Sequence, residues 1–169
     1  WDGKVRIVVQ SDAAGAFAPV ATVQTDAAIF ASSESETRLT ILDAAAVGGT
    51  LYLVTRDDSA DGLTTTLVGI DLASGQAKSF TVQNVQEAEA YADGQLLLRR
   101  YDMSALYAAS TGGTAGESMP GSDYGTFDPA KDVYTQLGNI AGDGVLGAYS
   151  VSGMVYGAAS GTLYYVNGS

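Results

Sequence analysis

A short strand closed by a glycine turn recurs along this chain, and no other feature restricts its fold as tightly. The unit is found at Thr50 to Thr55 (TLYLVT), Leu67 to Val82 (LVGIDLASGQAKSFTV), Gln95 to Tyr101 (QLLLRRY) and Thr162 to Val166 (TLYYV). Each run is rich in β-branched, aromatic or aliphatic residues and is bounded by Gly, Asp or Ser, the pattern of a strand between tight turns. With 21 Gly and only 3 Pro in 169 residues, and no long apolar pattern at helical spacing, the composition agrees. The chain is read as all-β.

The recurrence has a register. Gly49-Thr50-Leu51 is matched by Gly94-Gln95-Leu96, a step of 45 residues, while Leu67 to Leu106 is a step of 39 and Gly94 to Gly144 a step of 50. Self-similarity at about 40 to 50 residues is the period of four-stranded antiparallel blades arranged radially, the β-propeller. Approximate repeats then fall at 1–37, 38–83, 84–132 and 133–169 within a single domain over 1–169. Rings of this kind hold about four to eight blades. The last strand lies against the end of the chain, so the expectation is part of a larger ring. A β-sandwich is the alternative, and it would need strands alternating between two sheets without this register.

Individual strands are expected at Lys4 to Val9 and Val20 to Gln24, at Leu39 to Val47, at Val85 to Ala92, at Leu106 to Ser110 and at Val133 to Leu137. The stretch Thr114 to Lys131, with Gly, Ser, two Pro and a single Phe, reads as a long surface insertion.

At Leu67 to Phe80 the residues LVGIDLASGQAKSF resemble the outer hairpin of quinoprotein-like and YVTN-type β-propellers. There a strand ends in Asp, a Ser or Thr precedes Gly, and the chain reverses; the matching positions here are Asp71, Ser74 and Gly75. The local reason is that Asp and Ser side chains satisfy turn backbone groups while Gly supplies a positive φ. The resemblance implies a bacterial propeller, secreted or held at the cell surface. Quinone-binding members carry a Trp where this chain has Phe80, so no quinone is expected.

Charge and missing residue types then narrow the chemistry. Nineteen acidic against 8 basic residues give a net charge of −11, which disfavours nucleic acid and anionic membranes as partners. The absence of cysteine removes disulfides, zinc-thiolate sites and cysteine nucleophiles, and the absence of histidine removes Ser-His-Asp triads and imidazole-ligated metals. Carboxylate chemistry remains. Glu87 and Glu89 alternate on a strand and share a face, as a glycosidase pair must. Asp57, Ser59 and Asp61, followed by Gly62, reproduce the first half of a calcium loop but lack its distal acid, Val68 standing at that position. Calcium is thus the one cofactor the sequence offers. Arg99 has the planar fork to grip a carboxylate, and Tyr124 and Phe127 are the aromatics of the insertion available to a ligand.

The expected function is an extracellular binding or interaction module without catalysis of its own, with a protein or carbohydrate as ligand. Two alternatives stand beside it: part of a carbohydrate-active enzyme using a carboxylate pair, and a structural scaffold completed by a further segment or a second copy.

Overall fold

The computed structural model describes residues 4–10, 17–24, 39–57, 65–101, 122–140, 151–157 and 159–167. Twelve strands account for most of them: β1 (Lys4–Gln10), β2 (Phe17–Gln24), β3 (Leu39–Val47), β4 (Thr50–Asp57), β5 (Thr65–Asp71), β6 (Ala77–Gln83), β7 (Val85–Ala90), β8 (Leu96–Tyr101), β9 (Ser122–Asp128), β10 (Val133–Ile140), β11 (Val151–Gly157) and β12 (Thr162–Asn167). No α-helix occurs among the described residues. The all-β expectation is met.

Strands pair with their sequence neighbours, always antiparallel. β3-β4-β5-β6 form one four-stranded sheet and β7-β8-β9-β10 a second, while β1-β2 and β11-β12 are hairpins. Both four-stranded sheets are therefore simple meanders, which keep every pairing local. A single residue, Asn84, joins the two, and it does so with φ 61, a left-handed conformation that Asn tolerates better than most residues.

The turns explain the register. Gly48-Gly49 (φ 59 and 78) and Asp93-Gly94 (φ 57 and 75) are two-residue reversals with both residues left-handed, the type I′ geometry whose twist suits a hairpin. They close β3-β4 and β7-β8 at equivalent positions, 45 residues apart. This is the repeat that the sequence displays.

Two apolar layers follow from strand alternation. In β4, Tyr52 and Val54 face one way and Leu53 the other, and their partners across the ladder, Gly69, Leu67 and Val68, follow suit. Tyr52, Val54 and Leu67 join Val85, Ala88, Leu96, Leu98 and Phe127 in one core, so the main core lies between the two sheets. Leu53, Val68 and Ile70 build a smaller cluster on the opposite face of the first sheet. Burial on both faces is why β4 and β5 read as unbroken apolar runs.

The insertion expected over Thr114 to Lys131 is corrected where it is described. Ser122–Asp128 is β9, paired on both sides by β8 and β10. Gly125 lies inside this strand, although Gly inside a run suggests a loop. It is there because an added Cβ would run into the Thr135 carbonyl oxygen and lie 2.7 Å from the Tyr134 ring. The second sheet extends to Ile140, so the boundary expected after residue 132 falls between its last two strands. The strand expected at Leu106 to Ser110 lies outside the described residues.

Candidate functional site

The turns of both four-stranded sheets gather at one end, around a groove of about 560 Å³. Its first wall is the face of β4, β5 and β6: Thr50, Tyr52, Gly69, Asp71, Lys78 and Phe80. Its second wall is made by the β7-β8 and β9-β10 turns, with Asp93, Gly94, Asp128, Pro129 and Ala130. Val47 and Gly48 close the side nearest β3.

Packing sets the floor. Gly69 has no side chain between Tyr52 and Lys78, its ladder neighbours, and the rings of Phe80 and Tyr52 close over it at 3.0 and 3.2 Å from where a Cβ would stand. Phe80 meets Tyr52 at a centroid distance of 5.9 Å and Phe127 edge-on at 5.3 Å, which anchors the groove to the inter-sheet core. The Lys78 ammonium sits 4.7 Å above the Phe80 ring, within cation–π range.

Two aspartates shape the rim. Asp71 Oδ1 accepts hydrogen bonds from the Ala73 and Ser74 N–H groups (3.1 and 2.6 Å) and from the Ser74 hydroxyl (2.7 Å), and Gly75 turns the chain at φ 76. Asp128 does the same work in the second sheet, accepting from the Ala130 and Lys131 N–H groups (3.0 and 3.3 Å), with Asp132 left-handed at φ 55 where the first turn has Gly75. The Ser74 hydroxyl and N–H hold the Asp71 carboxyl below its ordinary range, and the Lys131 ammonium, 2.6 Å from Asp128 Oδ2, does so for Asp128. Asp93, exposed at its turn, adds a third carboxylate.

A second polar group lies along the first strands of the two sheets. Asp43 on β3 accepts the Ala88 N–H of β7 at 2.9 Å, and the register shift at Ile41/Asp43 turns it there. Glu87 and Glu89 occupy β7, as expected from sequence. Glu87 Oε2 is 3.0 Å from Arg99 Nε, a cross-strand pair in which Arg99 is only 8% exposed. Burial, then the Asp43 and Glu87 charges, push the Glu89 carboxyl up. A carboxyl with a raised pKa beside a second carboxyl is a feature of acid-base pairs. Here Arg99 already engages Glu87.

The other sequence candidates separate. Arg100 points opposite to Arg99 and forms a two-pronged pair with Asp123 (Nε–Oδ1 3.0 Å, Nη2–Oδ2 2.6 Å) while stacking 4.0 Å over the Tyr134 ring. The Tyr134 hydroxyl donates to Asp123 Oδ1 at 3.0 Å, and burial first, then the Asp123 charge, raise its pKa well above the ordinary phenol value. Tyr124 is half-buried on β9 and lies over Gly138, its ladder partner, with its hydroxyl 2.8 Å from where a Cβ would stand. Phe127 is fully buried, so the surface aromatic expected there is instead core. Of the calcium residues, Ser59 and Asp61 lie outside the described residues and Asp57 ends β4. No cluster of metal-ligating side chains occurs among the described residues.

The groove residues Lys78, Asp93 and Asp128 carried no mark in the sequence reading, because their relation depends on which turns share an end. Asp71 alone was legible. Comparison with known protein families and with curated proteins finds no match.

Proposed function

We propose that this chain is part of a radial β-propeller and serves as a non-catalytic binding module whose ligand enters the groove between successive sheets. The observation that carries the radial reading is that β7, the first strand of its sheet, packs on β3, the first strand of the sheet before, and also on β11. First strands side by side support radial stacking, in which neighbouring blades also pack face to face, as the core between these two sheets and the packing of β7 on β4 and β5 do. Tyr91 and Tyr156, with ring centroids 4.6 Å apart, join the β7 end to β11.

The β11-β12 hairpin supports the same reading. β12 begins at Thr162-Leu163 directly after the left-handed Gly161 (φ 62), matching Gly49-Thr50-Leu51 and Gly94-Gln95-Leu96, which supports reading β11-β12 as a first pair of strands.

Binding is favoured over catalysis by the Arg99 pair. Glycosidase chemistry needs the ionised carboxylate free to meet a sugar or a water, and Glu87 is instead held by Arg99. The groove has the volume of a ligand site, apolar walls and a few placed charges. The extracellular setting belongs to this proposal and rests on the resemblance alone.

The test is a binding screen of peptides and glycans against the native chain and Ala130→Trp, which fills the groove from an exposed turn position. Ligands that bind the native chain and not the variant, at unchanged melting temperature, support the reading. Ligands that bind both equally, or turnover of glycosides lost on Glu89→Gln, contradict it.

A further inference from the structure

We infer that two copies of this chain complete each other's unfinished sheets, the β1-β2 hairpin of one adding to the β12 edge of its partner; this rests on the radial reading above. Beside the two four-stranded sheets, β1-β2 and β11-β12 pair only within themselves. A two-stranded ribbon is marginal alone, and its bare edges are templates for further strands.

The bulges tell which half of a sheet each hairpin is. In the inner hairpins β3-β4 and β7-β8 the extra residue lies on the first strand, at Leu42 and Gln86. In the outer hairpins β5-β6 and β9-β10 the surplus lies on the last strand, between Ser79 and Gln83 and at Leu137. β11-β12 shifts between Ser152 and Val155 with the surplus on β11, so it is an inner pair without its outer one. β1-β2 sets Ala21 and Pro19 against the consecutive Ile7 and Val8, with the surplus on β2, so it is an outer pair without its inner one. The halves are complementary.

Exposed apolar side chains mark the same gap. Gly161-Thr162-Leu163-Tyr164 aligns with Gly49-Thr50-Leu51-Tyr52. Tyr52 is 6% exposed because the outer pair of its sheet sets Gly69 and Phe80 against it, whereas Tyr164, with no outer pair beside it among the described residues, is 57% exposed. Leu137 holds the place in β10 that Phe80 holds in β6. Phe80 packs on Phe127, on the third strand of the next sheet, while the sheet after Leu137 has no third strand among the described residues and Leu137 is 55% exposed.

A second copy is the occupant that closes the array. The first strands run as an arc, β7 packing on β3 and on β11, and among the described residues β11 has no comparable packing on β3. Twelve strands at four to a sheet give three sheets per chain. Radial rings hold about four to eight, so one chain falls short and two reach the range. A head-to-tail contact made twice then closes about a two-fold axis instead of growing into a filament.

The experiment is sedimentation equilibrium of the full chain, with amide hydrogen exchange at low and high protein concentration. The expected species is a dimer of the 17.3 kDa chain, with protection rising with concentration in β1 and β12 and unchanged in the central strands β5 and β8. Tyr164→Asp puts a carboxylate where the partner's hairpin would cover it and should raise the dissociation constant more than roughly tenfold. Leu137→Asp should act likewise. Ala130→Asp adds the same charge at an exposed turn facing the groove within one chain and should leave dimerisation unchanged. A monomer at every concentration, an assembly larger than a dimer, protection rising outside β1 and β12, or equal weakening by all three variants would overturn the inference. If it is overturned while the Ala88 N–H stays protected through Asp43, only the occupant is wrong; if Ala88 exchanges freely, the radial reading fails with it.

Discussion

The Asp43 carboxylate on β3 accepts the backbone N–H of Ala88 on β7 at 2.9 Å, so a side chain from one sheet completes the edge of the next. The same device recurs at the other side of the junction, where Asp132 in the β9-β10 turn accepts the Thr81 N–H of β6 at 3.1 Å. β7 and β6 are edge strands of their sheets, and an edge N–H left without water or a partner is costly. Two aspartates thus clamp the inter-sheet core, and both clamps use the side chain of one sheet and the main chain of its neighbour.

Asp43→Ala should lower stability by about 1 to 2 kcal/mol, the cost of leaving a partly buried N–H unsatisfied. Chemical denaturation of the variant measures this. An unchanged midpoint would mean that water serves Ala88 equally well.

Glu89→Gln should act in the opposite direction. The folded-state pKa of Glu89 is raised, so its ionised form is disfavoured in the fold; the penalty is absent below the ordinary glutamate value and grows as pH rises through the shifted one. Because the group is largely solvated, the gain at neutral pH should be only a few tenths of a kcal/mol, on the order of a surface pair. Denaturation midpoints at neutral pH and below about pH 4 should converge for the two proteins at the acid end.

The Arg100, Asp123 and Tyr134 cluster predicts graded losses. Asp123→Ala strands a guanidinium that is 30% exposed at its side chain, and should cost about 1 to 3 kcal/mol, the range for a charged hydrogen bond. Tyr134→Phe keeps the stack and loses one bond, about 1 kcal/mol. Since the phenol pKa is raised in the fold, stability from Tyr134 is complete below about pH 10, the ordinary phenol value, and declines above it. Alkaline unfolding should therefore shift to higher pH in Tyr134→Phe.

Gly125→Ala should be the most damaging single methyl in the second sheet. The new Cβ would collide with the Thr135 carbonyl oxygen and crowd the Tyr134 hydroxyl, neither of which yields without breaking the β9-β10 ladder. Overpacking of this kind costs about 1 to 3 kcal/mol, readable as a fall in melting temperature.

How far the sequence led depends on whether a signal is local. Gly49 and Gly94 mark the first hairpins because a type I′ turn demands left-handed residues, and Asp71, Ser74 and Gly75 announce the outer hairpin for the same reason. Asp128 to Asp132 builds the equivalent turn without glycine, using a left-handed Asp and a Lys131 contact, and so β9 reads as part of an insertion, while the strand after the turn, Val133 to Leu137, is legible. Glu87 and Arg99 were each visible as candidates, but their pairing depends on the β7-β8 register, which neither residue encodes alone. The groove is less legible still. It exists because turns separated by tens of residues share one end of the molecule, and only the assembled sheets bring Lys78, Asp93 and Asp128 together.

The junction between β3 and β7 is the relation on which the proposed radial array depends. Amide hydrogen exchange at Ala88 tests it most directly. The edge position leaves this N–H without a strand partner, so protection arises from Asp43 and the neighbouring sheet. Slow exchange in the native chain, lost in Asp43→Ala while Leu97 and Leu98 stay protected, is the predicted result. Exchange at Ala88 as fast as in an exposed strand edge of the native chain would contradict it.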